Sequence, residues 1–290
     1  MKNILITGTN SYIGTSFENW LEREPSKYKV ETLNMRDRSW KTEDFSRFDV
    51  VFHVAGIVHT KETKKNIFRF YSVNRDLTIE LANILKSSGV PHFVFVSTMS
   101  VYNNKETIIT NTTLTNPSTH YGISKLQAEN YLKNIESKNF RVTILRPPMI
   151  YGKNCKGNYN KLRNFVLKYK IFPNYKCKKS MIFIGNLSIF SKYIIDNEVY
   201  GILHPQNSEY VETVEMVKEI AKYYDSKIIY TKFFNLLIYI FINFIKLNIF
   251  KKIFSSLIYK FDNENQIYKK LDLFTFTETI GLTEGGLYEK

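Results

Sequence analysis

Lys2-Asn-Ile-Leu-Ile-Thr-Gly-Thr-Asn-Ser-Tyr-Ile-Gly14 is the stretch that decides the fold. Its first half is an apolar run ending at a glycine, the pattern of a buried strand. Ile13, Phe17, Trp20 and Leu21 then recur at helical spacing, and Pro25 marks the exit. A strand that runs through a glycine turn into an amphipathic helix is the setting a phosphate-cradling loop requires. Gly8 permits the tight turn, Gly14 lets helix pack closely on strand, and the helix N-terminus between them can hold a pyrophosphate. Ser11 stands where the usual pattern has its middle glycine. It is small enough for close approach, and its hydroxyl can donate to phosphate. Gly8, Asn10, Ser11, Tyr12, Ile13 and Gly14 are therefore the first candidate cofactor residues.

Outward from this loop the alternation continues. Lys29–Leu33, Asp49–Gly56, Phe93–Val96 and Val142–Leu145 read as strands. Between them, Leu77, Leu81, Ile84 and Leu85 make a helical stripe that ends at Gly89-Val-Pro91, and the segment around Tyr121 reads as a helix. Strands alternating with helices imply an α/β fold with a doubly wound parallel sheet. Such sheets bind ligands beyond the carboxyl ends of their strands, where Gly8, Thr98 and Arg146 fall. From Gly157 the glycines thin out. Asn160–Lys170 reads as a helix, Met181–Ile184 as a strand, and Leu187–Ile195 and Val211–Tyr224 as helices. The expected division is a nucleotide-binding domain over 1–156, rejoined by about 181–204, and a smaller α/β lobe from 157–180 and 205–290.

The chain has 290 residues, 43% of them hydrophobic, which supports a real core and excludes a disordered chain. Its two cysteines, Cys155 and Cys177, have neither metal-ligand spacing nor the numbers for a disulfide framework, so no metal is expected and a reducing cytoplasm is. The N-terminal apolar run is too short for a signal peptide. The net charge of +14 raises nucleic acid as a partner, but no basic stripe interleaved with aromatics precedes the last third, so nucleic acid is not expected. A basic chain also suits an anionic nucleotide. The segment 231–260 is apolar over Phe233–Ile245 apart from Asn235 and Asn243, then lysine-interrupted. It falls short of the roughly 18 uninterrupted apolar residues of a membrane span. Its expected state is a helix buried in the lobe, and the alternative is an interfacial helix resting on an anionic membrane.

Two further patterns carry chemistry. Tyr121 and Lys125 are one helical turn apart and share a face. A lysine ammonium there favours the phenolate, which is expected to lower the tyrosine pKa from about 10 and suit it to proton transfer with a sugar hydroxyl or ketone. At the end of the second strand, where an NAD enzyme places an acid for the ribose 2′-hydroxyl, the chain has Asn34, then Arg36 and Arg38. A neutral residue followed by arginines suits a 2′-phosphate, so NADP(H) is favoured and NAD stays open.

With these motifs in order, the chain resembles the extended short-chain dehydrogenase/reductase family and its nucleotide-sugar epimerases, dehydratases and 4-ketoreductases. Thr7-Gly-Thr-Asn-Ser-Tyr-Ile-Gly14 is similar to that family's glycine loop. His53-Val-Ala-Gly56 resembles its strand beneath the cofactor, and Val73-Asn-Arg-Asp-Leu-Thr78 its asparagine-bearing helix. Phe95-Val-Ser-Thr-Met-Ser-Val-Tyr102 resembles the strand with the active-site hydroxyl, Tyr121 and Lys125 the Tyr-x-x-x-Lys pair, and Arg146-Pro-Pro-Met-Ile-Tyr-Gly152 the loop beside the nicotinamide. Within the family the chain is most similar to the UDP-sugar 4-epimerase-like branch that includes capsule and O-antigen 4-ketoreductases, through Gly157-Asn158, Phe172-Pro173 and Lys179–Asn186 as well. Asn103 stands where that family usually has glycine after Val-Tyr, and Asn tolerates the left-handed turn better than most residues.

The resemblance implies a Rossmann fold and a catalytic set of Thr98, Tyr121 and Lys125, with Ser97 the neighbouring alternative to Thr98. It implies that Val54, Ala55, Gly56, Asn74 and Pro148 join Asn34, Arg36, Tyr121 and Lys125 at the cofactor, and that Thr98, Met99, Asn158 and Lys179 meet the substrate. Lys179 replaces an arginine of relatives near the nucleotide phosphates, keeping the charge and losing the fork. The implied activity is hydride transfer at C4 of a UDP-hexose. Reduction of a 4-keto-6-deoxy sugar for capsule or O-antigen synthesis is the first expectation, and 4-epimerisation of UDP-glucose or UDP-N-acetylglucosamine with retained NAD the alternative. A non-catalytic NADPH-binding protein of the same fold is the third. The expected setting is the cytoplasm, with a homodimer and a weak membrane-surface contact through 231–260 as further expectations.

Overall fold

The computed structural model describes residues 1–58, 60–102, 107–245, 253–261, 265–268 and 270–285. Asn103 and its turn, and residues 246–252 of the apolar segment, lie outside the described residues. The chain divides into two units: 1–104, 114–148 and 184–205 form the first, and 105–113, 149–183 and 206–290 the second.

In the first unit, β1 (Lys2–Thr7) leads through the glycine turn into α1 (Tyr12–Leu21) and β2 (Tyr28–Leu33). β3 (Val50–His53), α2 (Ile67–Tyr71), α3 (Leu77–Ser87), β4 (His92–Val96) and α4 (His120–Ile135) follow. Strands Arg141–Leu145 and Gly201–Leu203 complete one six-stranded sheet. Every neighbouring pair is parallel, in the order β2, β1, β3, β4, Arg141–Leu145, Gly201–Leu203. β3 and β4 are buried at every position, which is why they read as unbroken apolar runs: helices cover both faces of a parallel sheet. On one face Leu5, Val51, Phe93 and Phe95 pack with Leu81 and Leu85 of α3 and Ala128 and Leu132 of α4. On the other, Phe17 of α1 meets Phe52 with ring centroids 4.5 Å apart, and α1 packs beside the helix Ile184–Asp196.

The order reverses at β1, which has β2 on one side and β3 on the other. Ligands of doubly wound sheets bind at such a switch point, so the loops after β1 and β3 mark the site.

The second unit is built from short strand pairs and helices. Met149–Tyr151 pairs in parallel with Met181–Phe183, Ile171–Pro173 with Ile229–Thr231, and Ile108–Ile109 with Ile258–Tyr259, while Val211–Glu212 runs antiparallel to Lys178–Lys179. The helices Asn158–Lys168, Thr213–Tyr223, Asn235–Asn243 and Phe276–Glu284 accompany them. Tyr151 and Tyr159 stack at 5.7 Å in its core. The boundaries differ from the sequence expectation: 149–156 and 181–183 fall in the second unit, as does 107–113, because Ile108 pairs with Ile258, 150 residues away and invisible to local pattern. The expectation of a buried helix after residue 231 is also corrected. In Asn235–Asn243 only Ile238 is buried, and Leu236, Leu237 and Tyr239 are exposed. No helix among the described residues is long and apolar enough to cross a membrane.

Candidate active site

The loop after β1 is shaped by close approach. Gly8 has φ +90°, and a Cβ there would lie 3.1 Å from the backbone of Ala55 in the loop after β3. Asn10 takes the left-handed conformation at φ 62°, tolerable for Asn. Ser11 is the N-cap of α1 and its Oγ accepts from the Gly14 N–H at 3.2 Å. Having accepted there, the hydroxyl keeps its own proton to donate. A Cβ at Gly14 would come 3.2 Å from both Ile6 and Val54, the close helix-on-strand packing this position demands.

Beneath the loop, Thr7 and His53 share a hydrogen bond at 2.6 Å through Nδ1, and Nε2 lies 2.9 Å from the Thr78 hydroxyl. Thr78 donates onward to the Asn74 carbonyl at 3.1 Å. That direction makes Thr78 accept from Nε2–H and leaves Nδ1 to accept from Thr7, so the imidazole is neutral. Burial, followed by the nearby Lys125 charge, lowers its pKa to about 3.

Asn74 sits in a π-turn, Ser72–Asp76, where the Leu77 N–H reaches back five residues to the Ser72 carbonyl. Its Oδ1 accepts from the Ile57 N–H at 2.8 Å, and its Nδ2 donates to the Ile57 carbonyl at 3.1 Å and Ser124 Oγ at 3.3 Å. Asn74, expected at the cofactor and as a holder of the site's architecture, is fully buried, with its amide engaged in tying the loop after β3 to α4. A Cβ at Gly56 would meet Asn74 Oδ1 at 2.9 Å and Lys125 Nζ at 3.4 Å, so Val54, Ala55 and Gly56 run directly past the lysine's end of α4.

Ser97 and Thr98 have different surroundings, and a buried carboxylate engages Ser97. Ser97 donates to Glu129 Oε1. Arg146 donates to Glu129 through Nε (3.1 Å) and Nη2 (2.5 Å) and to the Tyr102 hydroxyl through Nη1 (2.6 Å), and Tyr102 pairs with His204 Nε2 at 2.8 Å. Ser97, Glu129, Arg146, Tyr102 and His204 are all buried. Thr98 lies one residue on, half-buried, with its Oγ accepting from the Ser100 N–H at 3.1 Å. It is a neighbour of the Tyr121 phenol, on whose pKa its hydroxyl acts. Met99, buried, is held by its N–H on the Pro147 carbonyl at 2.9 Å, which joins the Thr98 turn to the Arg146-Pro-Pro148 loop.

α4 begins where it must for this contact. Thr119 caps it by accepting from the Gly122 N–H at 3.1 Å, and Glu62 accepts from the Tyr121 N–H at 3.0 Å, favourable for an anion at a helix N-terminus. A Cβ at Gly122 would fall inside contact distance of the Ser100 carbonyl oxygen. Glu62, Gly122, Glu129 and Ser124 were not found from sequence. Only Gly122, a glycine in the first turn of a helix where it costs stability, gave a local signal.

Lys125 is buried, with Nζ donating to the Val96 carbonyl at 2.9 Å and lying 4.5 Å above the Phe95 ring. Burial lowers its pKa to about 8, against the upward pull of Glu129. The expectation that Lys125 lowers the Tyr121 pKa is not met in this state of the site. Burial raises Tyr121 to about 12, and the lowering influence on it is the neighbouring Thr98 hydroxyl.

Residues 4–172 match the NAD dependent epimerase/dehydratase family. The chain belongs to that family. A UDP-glucose 4-epimerase of Vibrio cholerae is 27% identical over 76% of this chain and 75% of its own length. The N-acetyl-alpha-D-glucosaminyl-diphospho-ditrans,octacis-undecaprenol 4-epimerase of Escherichia coli O157:H7 is 26% identical over 69% of this chain and 65% of its own length, just under two thirds. Among solved structures, UDP-glucuronic acid 4-epimerase from Bacillus cereus in complex with NAD superposes with TM-score 0.73 at 17% identity, covering 97% of this chain and 95% of that one. Its likeness is one of fold. The chain is thus an NAD(P)-dependent oxidoreductase of the nucleotide-sugar epimerase and reductase superfamily, with an NAD(P)-binding Rossmann fold.

The residues present fit the family's dinucleotide. A Cβ at Gly8 would crowd Ala55 and one at Gly14 would crowd Ser11, Ile6 and Val54, so the turn keeps a bare backbone, and the first-turn N–H groups of α1, including that of Ile13, have no carbonyl a turn before them. Asn34 and Arg36 follow β2: Asn34 Oδ1 accepts from the Arg36 N–H at 3.0 Å, and both side chains are exposed. Pro148 is buried at the end of the Arg146 loop. Asn158 and Lys179 belong to the second unit. Asn158 is exposed and opens a helix behind Gly157, whose φ is 111°. Lys179 pairs with Val211, and burial lowers its pKa.

Proposed function

We propose that this protein is a UDP-hexose 4-epimerase, which inverts C4 by oxidising it to a ketone and reducing the opposite face. The observation that carries this reading is the gathering of Thr98, the Tyr121 phenol and buried Lys125 beyond the carboxyl end of β4, where Lys125 Nζ donates to the Val96 carbonyl. The named 4-epimerases among the relatives support inversion over one-way reduction. When bound, the nicotinamide accepts the C4 hydride and returns it.

This chain's own groups handle the proton. Tyr121 as phenolate takes the C4 hydroxyl proton, and as phenol it returns a proton to the ketone oxygen. Thr98 donates to the same oxygen as negative charge develops there. Lys125, as an ammonium, holds the cofactor ribose and favours the phenolate. Gly8, Ser11, Ile13 and Gly14 cradle the pyrophosphate, and Lys179 and Asn158 serve the UDP moiety. With Tyr121 raised to about 12 and Lys125 titrating near 8, the oxidative half-reaction should speed up as pH rises from 6. It should level off near 8, where the lysine loses its charge.

A second reading, reduction of a UDP-4-keto-6-deoxy sugar with NADPH, draws on Asn34 and Arg36, a neutral residue and a guanidinium where an NAD enzyme keeps an acid. One experiment separates the two. Purified protein is incubated with UDP-glucose or UDP-N-acetylglucosamine without added cofactor, and the sugar is followed by proton NMR. Appearance of the C4 epimer supports the epimerase. Stoichiometric consumption of added NADPH with a 4-keto substrate, and no epimer, supports the reductase.

A further inference from the structure

We infer that the second unit carries a docking surface for an anionic lipid bilayer, centred on the helix Asn235–Asn243. This helix is apolar at every position between its terminal asparagines. A helix that is hydrophobic all round belongs in a core or in lipid. Here only Ile238 is buried, while Phe233 is 79% exposed, Leu236 69% and Phe244 72%. The apolar surface continues onto the strand pair that precedes the helix: Ile229 and Ile171, paired in register, are both exposed, and the Asn235 amide donates to the Asn174 carbonyl at 3.0 Å. Large contiguous exposed apolar groups mark interaction surfaces.

Charge selects the occupant. The two paired segments, 165–178 and 226–245, contain Lys168, Lys170, Lys176, Lys178, Lys227 and Lys232 and no Asp or Glu. The first five flank the strands, and Lys232 precedes the helix, all of them exposed. The nearest acid of the packed helix Thr213–Tyr223 is matched already: Glu215 takes Lys218 at 2.8 Å, with Lys218 over the Tyr230 ring at 5.8 Å. Apolar side chains bordered by six lysines, with exposed Asp225 just outside the paired segments, are the composition of an interfacial element on anionic lipid. A second copy of the same face would bring like charges together.

The test uses the full chain and vesicles of phosphatidylglycerol and phosphatidylcholine against phosphatidylcholine alone. Expected is sedimentation with the anionic vesicles at low salt, falling as salt is raised. Phe233→Ser combined with Leu236→Ser and Leu237→Ser should abolish it while leaving the circular dichroism spectrum and cofactor binding unchanged. Lys170→Gln and Lys232→Gln should each weaken it about fivefold. The proposal is overturned if the wild-type chain stays in the supernatant, or if it binds both vesicle types equally. It is also overturned if sedimentation velocity shows a dimer that the three serine substitutions dissociate, which would make a second copy the occupant.

Discussion

At the carboxyl end of β4, Ser97, Glu129, Arg146, Tyr102 and His204 lie inside the first unit in a continuous chain of hydrogen bonds. On the helix Asn235–Asn243 of the second unit, Leu236, Leu237 and Tyr239 stand in solvent. One region hides groups that water would solvate well, and the other displays groups that water excludes. Buried polar groups cost stability unless fully satisfied, so the first arrangement holds only as a set, and it fixes one geometry. Exposed apolar groups cost the folded chain little and fix nothing within it. The contrast separates positions set by the chemistry of the site from positions set by what the surface meets.

The sharpest way to test that separation is Tyr121→Phe, which leaves the fold intact and should lower turnover by about 10²–10⁴-fold, measured as initial rate at saturating substrate. Glu129→Ala attacks the network itself. It strands the Arg146 guanidinium and releases Ser97, and should cost about 3–5 kcal/mol in denaturant unfolding. Thr98→Val should lower turnover by about 10²–10³-fold, as loss of one donor to a developing oxyanion does, while Ser97→Ala should leave the rate near wild type and act on stability. An unchanged rate for Thr98→Val would transfer the active hydroxyl elsewhere. Leu236→Ser in the second unit should change stability by no more than about 0.5 kcal/mol.

Acid offers a further probe of the first region. His53 and His92 have pKa values lowered by burial to about 3 and about 4, against 6.5 when unfolded. Between these values the unfolded chain binds more protons than the folded one, so stability falls as pH drops below 6.5 and is unaffected by these groups above it. Urea unfolding from pH 7 to pH 4 should show this slope, and His53→Asn should flatten it.

The sheet was legible because β1, β3 and β4 contain the unbroken apolar runs Ile4–Ile6, Val50–Phe52 and Phe93–Val96. The shared face of Tyr121 and Lys125 was legible from helical spacing, whereas Thr98 was named only through the family resemblance. Their supports were not. Glu62 reaches Tyr121 across 59 residues, Asn74 reaches Ser124 across 50, and Ser97 reaches Glu129 across 32, distances at which spacing carries no signal. The tyrosine's pKa went the other way for a related reason. Helical spacing brings in one neighbour, whereas burial sums over every element around the phenol. The burial of the helix after residue 231 was misjudged because apolar composition alone does not distinguish a core helix from an exposed one.

The π-turn at Ser72–Asp76 has a consequence for the history of the chain. It holds one residue more than a regular turn would, and a helix advances about 100° per residue. Deleting one of its other four residues would restore an ordinary helix and improve the local backbone, yet swing Asn74 by that angle off Ile57 and Ser124. The insertion is therefore locked in: drift toward the simpler helix is closed by the loss of the brace, and this turn should keep its length in any descendant that keeps the loop after β3.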